Sequence, residues 1–577
     1  MTATVPATAD FLAPLDDLDR SQGRWIKTSI SDRVAVLDAI GKRMDFAAER
    51  WVEAAGAAKR FALDGPAAAE EWLSGPFAIV AYCRALAETL RRVGEGRNPY
   101  PSRAVKVGSD GRAIVEVLPF DWYDYLLLSG YTLEVRMDRS VTPATLAENT
   151  ASAYRQTPRP GVCAVLGAGN VGSIAALDVL YKLMADNQVV ILKMSPVNDY
   201  LRPILEEVFA ELIEGGYVRI VSGGSDVGRE LVRQEAVTSV HITGSRATHD
   251  ALAPGLEKPV TSELGGVSPI IVVPGNWSDA DYKYQASQIA TAKLINIGYN
   301  CIAPQILVLP ANWEGSSRLI ESIGEVIDSL EPRYPYYPGG EERRAAIARR
   351  PGAVTVGGFP TTILPDLTPG RSEEAFRTEY FGPVLGVVKI DFSDPAYFLQ
   401  AAVAFANNEL DGSLGANLII HPQTMREYQP HFEQAISNLR YGAIAVNTWT
   451  ALNFLLPRGS WGSFPGNTVE SVGSGVGVVH NALLFDRPEK TVGRGPFSPM
   501  PRGWRHGELH ASPPPPWSLT SRHGAQTARL LTRFIADPKP SRLPPLLRSA
   551  LSVNKRTQGS EPRTTRLSRQ RTSIRSR

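Results

Sequence analysis

From Gly161 the chain alternates short β-branched runs with helical stretches: GVCAVL, VGSIAALDVLYKLMAD, QVVILK, a helix to about Gly215, YVRIVS, a further helix and TSVHIT. Strands separated by helices cannot close as hairpins, so this order calls for parallel strands with crossover helices on the sheet faces. A second alternating block runs from about Pro269 to Asn447, with PIIVV, PQILVL, VLGVVKI, GANLII and GAIAVN as its strands. No repeat at a solenoid period relates the two blocks, so they read as two separate α/β domains.

The length of 577 residues allows two or three domains, each with a proper core. With 43% apolar and 21% charged residues the chain is an ordinary globular protein, which excludes mainly disordered and fibrous classes. A net charge of +2 gives the folded body no field to attract nucleic acid or a membrane surface. Cys83, Cys163 and Cys301 are scattered and odd in number, too few for a disulfide framework or a closed zinc site, so a reducing compartment and no metal are expected. The first residues, MTATVPATADFLAPLDDLDR, carry acid where a signal peptide carries base, and no run of about 18 apolar residues follows. The expected location is cytoplasmic, without stable membrane insertion.

Residues 30 to 95 repeat apolar positions at helical spacing, whereas 96 to 160 mix turn and extended signals and resist placement. After about Phe497 the composition shifts to Pro and nearly unopposed Arg. Such a segment cannot offset the entropy of ordering, so 499–577 is expected to be a disordered tail, with a short helix at ARLLTRFIAD.

Three motifs bear chemistry. GAGNVG at 167 to 172 follows a strand and opens a helix, so Gly167, Gly169 and Gly172 match the dinucleotide fingerprint, although the next strand ends in Lys193 where the fingerprint has an acid. TSELGGVSP at 261 to 269 places Glu263 before two glycines that let backbone approach a ligand. NIGYNCIAP at 296 to 304 sets Cys301 at a helix-to-strand junction, where a thiol is exposed to substrate and to backbone N–H dipoles. Singly, a free Cys is more often a buried apolar residue and a Glu a surface charge. With Asn170 they supply a nucleophile, a carboxylate base and an oxyanion donor, the requirements of acyl chemistry.

In order over roughly 150 to 495, these residues resemble the aldehyde dehydrogenase superfamily. The resemblance implies an α/β fold with a Rossmann-like dinucleotide-binding domain, a second α/β catalytic domain and a small oligomerisation sheet. It divides the chain into 1–150, the helical part of the coenzyme domain with an unplaced insertion; 151–265, the dinucleotide-binding core; 266–470, the catalytic domain; and 471–498, a bridging strand segment. RPGVCAVLGAGN resembles the family's strand and Pro-Trp-Asn turn, which puts Asn170 at the oxyanion, with Ala168 and Gly169 where Pro and Trp are usual. By the same resemblance Lys193 holds the adenosine ribose, Gly244 and Ser245 lie near the pyrophosphate, and Leu264 and Gly265 adjoin the coenzyme, NAD or NADP. Glu379 and Phe381 of TEYFGPVLGV serve the nicotinamide ribose and ring, and Glu263 and Cys301 are base and nucleophile. A homo-oligomer, dimer or tetramer, is implied, with strands near Ala151 to Arg159 and Leu483 to Gly493 pairing across subunits.

Pro196 stands where many members carry a ribose-binding Glu, which removes one reason to exclude NADP. Val267 replaces a usual Lys, and PRGSWGSFPG follows the family's pattern only loosely. Ala451 to Phe464 is expected to line an aldehyde tunnel, and Tyr299, Trp449, Phe454 and Phe464 favour an apolar aldehyde. The implied reaction is oxidation to the carboxylic acid through a Cys301 thiohemiacetal and a thioester hydrolysed with Glu263. Its alternatives are a coenzyme A-acylating enzyme and a catalytically idle dinucleotide-binding protein.

Overall fold

The structure, a computed structural model, describes residues 11–370 and 373–552. The first alternating block forms a six-stranded sheet in the order Gly475–Val476, Val260–Leu264, Ser239–Gly244, Val162–Leu166, Val189–Lys193, Val218–Val221. All but Gly475–Val476 are mutually parallel. Because Val162–Leu166, the first of these in the chain, lies centrally, later strands extend to both sides of it. Connections leaving the carboxyl ends of Val162–Leu166 and Ser239–Gly244 diverge there, which opens the crevice that characterises Rossmann-like sheets.

Val162–Leu166 and Val189–Lys193 are buried along their whole length, as uninterrupted apolar runs covered on both faces must be. Helix Leu12–Trp25 packs on this sheet, with Trp25 fully buried and its Nε1 donating to the Leu183 carbonyl at 3.1 Å. Ile30–Lys59 starts at Ser29, whose hydroxyl accepts from Asp32, and packs along Ala78–Gly94. Between Pro66–Trp72 and Ala78–Gly94 the helix passes through a π turn, Leu73–Phe77, at Pro76, which has no amide hydrogen to give.

The second block builds an eleven-stranded sheet in the order Val105–Val107, Ala113–Leu118, Thr132–Met137, Pro488–Arg494, Ala443–Val446, Gly415–Ile419, Pro269–Val272, Ile306–Pro310, Val384–Ile390, Thr361–Leu367, Val354–Val356. The segment left unplaced by sequence supplies the three antiparallel strands between 105 and 137. Pro488–Arg494 joins them to the parallel strands, pairing with Thr132–Met137 on one edge and Ala443–Val446 on the other. The expectation that Leu483 to Gly493 pairs across subunits is corrected in this respect, because the chain itself fills both edges of that strand. The expected partner region near Ala151 also pairs within the chain, through a bridge from Thr150 to Phe485 and a bond from the Ala151 amide to the Leu484 carbonyl at 2.6 Å.

The disordered tail is also corrected for residues 499–552. Helices Arg502–Arg505, Gly524–Ala536 and Leu543–Ala550 form there. Averaged composition conceals a helical period: Ala525, Ala528, Phe534 and Ile535 lie on one buried face of Gly524–Ala536, packed on Pro66–Trp72 and Ala78–Gly94. The Arg residues are paired, Arg533 with Asp45 at 2.8 Å and Arg529 with Glu49 at 2.6 Å. Upstream, His506 stands between Asp281 at 3.0 Å and His421 at 3.2 Å, fastening the segment to the domain of the eleven-stranded sheet. Residues 553–577, also expected in the tail, lie outside the described residues. No helix of the described residues is long and apolar enough to cross a membrane.

Phe534 is fully buried and meets the Tyr123 ring edge-on at 5.3 Å. Phe534→Ala is expected to cost about 3 to 5 kcal/mol and lower the urea midpoint accordingly; an unmoved midpoint would contradict a packed C-terminal segment.

Candidate active site

Helix Asp279–Leu294, opened by a capping box of Ser278 and Asp281, ends just before Asn296. Asn296, Ile297 and Gly298 then take φ values of 52°, 63° and 76° in succession. A left-handed β-branched residue is rare and costs of order 1–3 kcal/mol, so its surroundings must hold it. The Asn296 amide donates to Glu70 at 2.8 Å, and Arg333 grips the same carboxylate at 2.7 and 2.9 Å. The Asn296 side chain donates to the carbonyls of Asn170 and Tyr299 at 3.0 Å each, while Tyr336 donates to Asn296 Oδ1 at 2.9 Å. A Cβ on Gly298 would lie 2.7 Å from the Gly382 carbonyl oxygen, so both conformation and space require glycine there. The turn delivers Cys301, partly exposed, ahead of strand Ile306–Pro310.

Cys301 Sγ donates to Glu263 Oε1 at 3.2 Å, and Trp461 Nε1 donates to the same oxygen at 3.0 Å. Glu263 ends a strand of the six-stranded sheet and Cys301 precedes one of the eleven-stranded sheet, so the pair forms where the two domains meet. Burial raises the Glu263 pKa, opposed by the His480 ring and the Trp461 bond. Burial, followed by the Glu263 charge, pushes the Cys301 thiol well above its ordinary range. Behind the pair, His480 Nε2 lies 2.9 Å from the buried carboxylate of Asp178, which also accepts from Thr243 at 2.8 Å. Trp461, His480 and Asp178 were missed by sequence reasoning. The acid of Asp178 inside the apolar helix SIAALDVLYKLM is the one signal that could have pointed to them.

Asn170 is buried against the Cys301 turn, its amide donating to the Tyr299 carbonyl at 3.1 Å. Lys193 ends its strand at the carboxyl edge of the six-stranded sheet, where burial lowers its pKa against the pull of Asp226 and Asp199. Gly244 ends the neighbouring strand, and Ser245 caps Arg246–Leu252 through Thr248. Leu264 is buried at the end of the Glu263 strand. A Cβ on Gly265 would fall 2.0 Å from Glu379 Oε1, so the carboxylate lies directly over the glycine. Glu379 Oε1 is buried with no partner among the described residues, and burial pushes this acid up to about 8. Burial moves nearby Lys293, another residue that sequence reasoning missed, down to about 7. Phe381, at φ 42°, stacks on Tyr299 with centroids 6.0 Å apart.

A cavity of about 850 Å³ opens in front of Cys301 and Glu263, walled by Val171, Ile174, Trp449, Phe454 and Trp461. Trp449 and Phe454 therefore line it as expected. Tyr299 does not, because it is fully buried among Tyr336, Tyr337 and Phe381. Phe464 does not either; Lys490 lies over its ring at 5.0 Å.

Fold and site together define a two-domain α/β protein with a thiol–carboxylate pair at the domain junction. A model of the aldehyde dehydrogenase family matches residues 126–331. Aldehyde dehydrogenase family 3 member A2 of Pongo abelii is 25% identical over 352 residues, 58% of this chain and 67% of the relative. N-succinylglutamate 5-semialdehyde dehydrogenase 1 of Caulobacter vibrioides is 30% identical over 287 residues, covering 45% and 59%. The chain spans between 52% and 67% of the length of the family 3 member A2 relatives. Among solved structures, an aldehyde dehydrogenase C mutant from Pseudomonas syringae complexed with NAD+ and octanal aligns with a TM-score of 0.55 at 19% identity, covering 85% of this chain and 90% of that one. The NADP-dependent glyceraldehyde-3-phosphate dehydrogenase from Bacillus halodurans complexed with NADP aligns at 0.56 and 17%, covering 83% and 90%. The chain is thus similar to the aldehyde dehydrogenase family in sequence over residues 126–331 and in fold over most of its length.

Since the Glu263 charge helps hold the Cys301 thiol protonated, Glu263→Gln should lower the thiol pKa. The pH profile of iodoacetamide alkylation at Cys301, followed by peptide mass spectrometry, is expected to move toward acid. A profile that stays in place would mean that the two groups are not coupled.

Proposed function

We propose that the protein oxidises an aldehyde to the carboxylic acid with NAD or NADP, using Cys301 as nucleophile and Glu263 as base. The observation that carries this reading is the 3.2 Å contact between Cys301 Sγ and Glu263 Oε1 beside an apolar cavity. Glu263 takes the thiol proton, and the thiolate attacks the aldehyde carbon to give a thiohemiacetal. The Cys301 backbone N–H and the Asn170 amide hold its oxyanion, the latter after leaving the Tyr299 carbonyl. Removing one such donor typically costs about 3 kcal/mol of barrier.

A bound nicotinamide coenzyme would supply the hydride acceptor that lets the Cys301 thiohemiacetal become a thioester. Its residues fit the group. Gly265 leaves the space that a Cβ would fill, and the unpartnered Glu379 oxygen can accept from a ribose hydroxyl. Lys193, Gly244, Ser245, Leu264 and Phe381 are the further residues assigned to it. Pro196 brings no carboxylate against a 2′-phosphate, and the fold is shared with proteins bound to NAD+ and to NADP, so both coenzymes are included.

Glu263 then releases its proton and takes another from water, which hydrolyses the thioester and frees the thiol. The burial that raises its pKa suits it to this alternation. Direct contact of Glu263 with the nucleophile favours hydrolysis over transfer of the acyl group to coenzyme A.

Absorbance at 340 nm with aliphatic and aromatic aldehydes, NAD or NADP, with and without coenzyme A, tests the reading. Cys301→Ala is expected to abolish turnover, and Asn170→Ala to reduce kcat about a hundredfold. Coenzyme A dependence would replace hydrolysis by acyl transfer, and no Cys301-dependent reduction with any aldehyde would overturn the proposal.

A further inference from the structure

The cavity in front of Cys301 adjoins two others. The Cys301 cavity shares Leu73, Leu452, Leu455 and Trp517 with a second, larger chamber. On another side, Lys59, Phe61, Ala67 and Arg333 are shared with an open groove. The two directions differ in chemistry. Toward the groove stand the ion pairs Lys59–Glu71 and Arg333–Glu70, which an apolar group would strip of water without compensation. Toward the second chamber the partition is three apolar side chains and an indole.

The chamber wall is largely apolar, with Phe77, Ala81, Leu127 and Leu128 on the side of the body. Arg458 in that wall is held by Glu88 at 2.6 Å and Asp121 at 2.9 Å, and Asp124 accepts two backbone amides at 2.8 Å. The outer wall is Pro513 to Pro516 with Leu531, Ile535 and Leu546, all from the C-terminal segment. That segment lies beyond the stretch that resembles the superfamily and contributes neither nucleophile nor base. A concave, largely apolar space of this kind suits apolar ligands.

We propose that the second chamber receives the tail of a long unbranched aliphatic aldehyde whose carbonyl lies at Cys301, and that the C-terminal segment is the wall that sets chain length. This rests on the aldehyde reading for the carbonyl, but the chamber can be tested without turnover.

The experiment uses the full chain and Leu546→Trp, a substitution that fills the chamber from its outer wall; Leu531→Phe serves if that variant does not fold. Binding of the uncharged fluorophore N-phenyl-1-naphthylamine is measured first, with displacement by hexadecanol and by butanol. Hexadecanol should displace the fluorophore from the native protein at a concentration at least tenfold lower than butanol requires, and Leu546→Trp should abolish this difference. In turnover, kcat/KM should rise by up to about fourfold for each methylene added from butanal upward, the worth of one buried methylene. The ratio of hexadecanal to butanal should fall at least tenfold in Leu546→Trp. Equal displacement by both alcohols, or a chain-length profile that Leu546→Trp leaves unmoved, would overturn the proposal. Selective hexadecanol binding without oxidation of any aldehyde would support the chamber and defeat the dehydrogenase reading alone.

Discussion

The active site depends on one ionic contact, the Glu70 carboxylate held between Arg333 and the backbone amide of Asn296. A buried amide at the start of a left-handed turn has no helical partner, and leaving it unpaired costs about 1 to 3 kcal/mol in addition to the strain of the turn. Glu70 comes from a helix near the start of the chain and Arg333 from the loop after Glu314–Asp328, so the turn forms only when distant segments have come together. With the turn in place, Asn296 anchors Asn170 and Tyr299, and Cys301 meets Glu263. Cys301 is therefore positioned by residues with no acid–base or nucleophilic part in the proposed reaction.

The double α/β alternation was legible because strands covered on both faces must be apolar throughout, a pattern that needs no tertiary information. Cys301, Glu263 and Asn170 were legible as residue types near strand ends, and the structure brings them together. Lys193, Gly244 and Ser245 were assigned by resemblance, and they lie at the carboxyl edge of the first sheet. Trp461, His480 and Asp178 were not, since their contacts join segments far apart in sequence and no local spacing records that. Phe464 and Tyr299 mark the opposite failure: an aromatic near a site can serve as packing, and sequence gives no direction to its ring.

The C-terminal segment was misread for a related reason. Arg and Pro content averaged over 499–577 resembles a solvated extension, but order depends on where the few apolar residues fall. In Gly524–Ala536 they fall on one face, and the arginines find carboxylates on Ile30–Lys59. The N-terminal helices then acquire a wall that the alternating pattern alone does not anticipate.

Strand Pro488–Arg494 lies between Thr132–Met137 and Ala443–Val446 in the same sheet. On a ribosome the first of these neighbours emerges about 350 residues before it, and its inner edge lacks this partner throughout that interval. Sheet closure is thus a late event of long contact range, which slows folding. A nascent chain halted between residues 446 and 488 would carry two unpaired edges, the usual starting point for edge-to-edge aggregation and the kind of surface that chaperones cover.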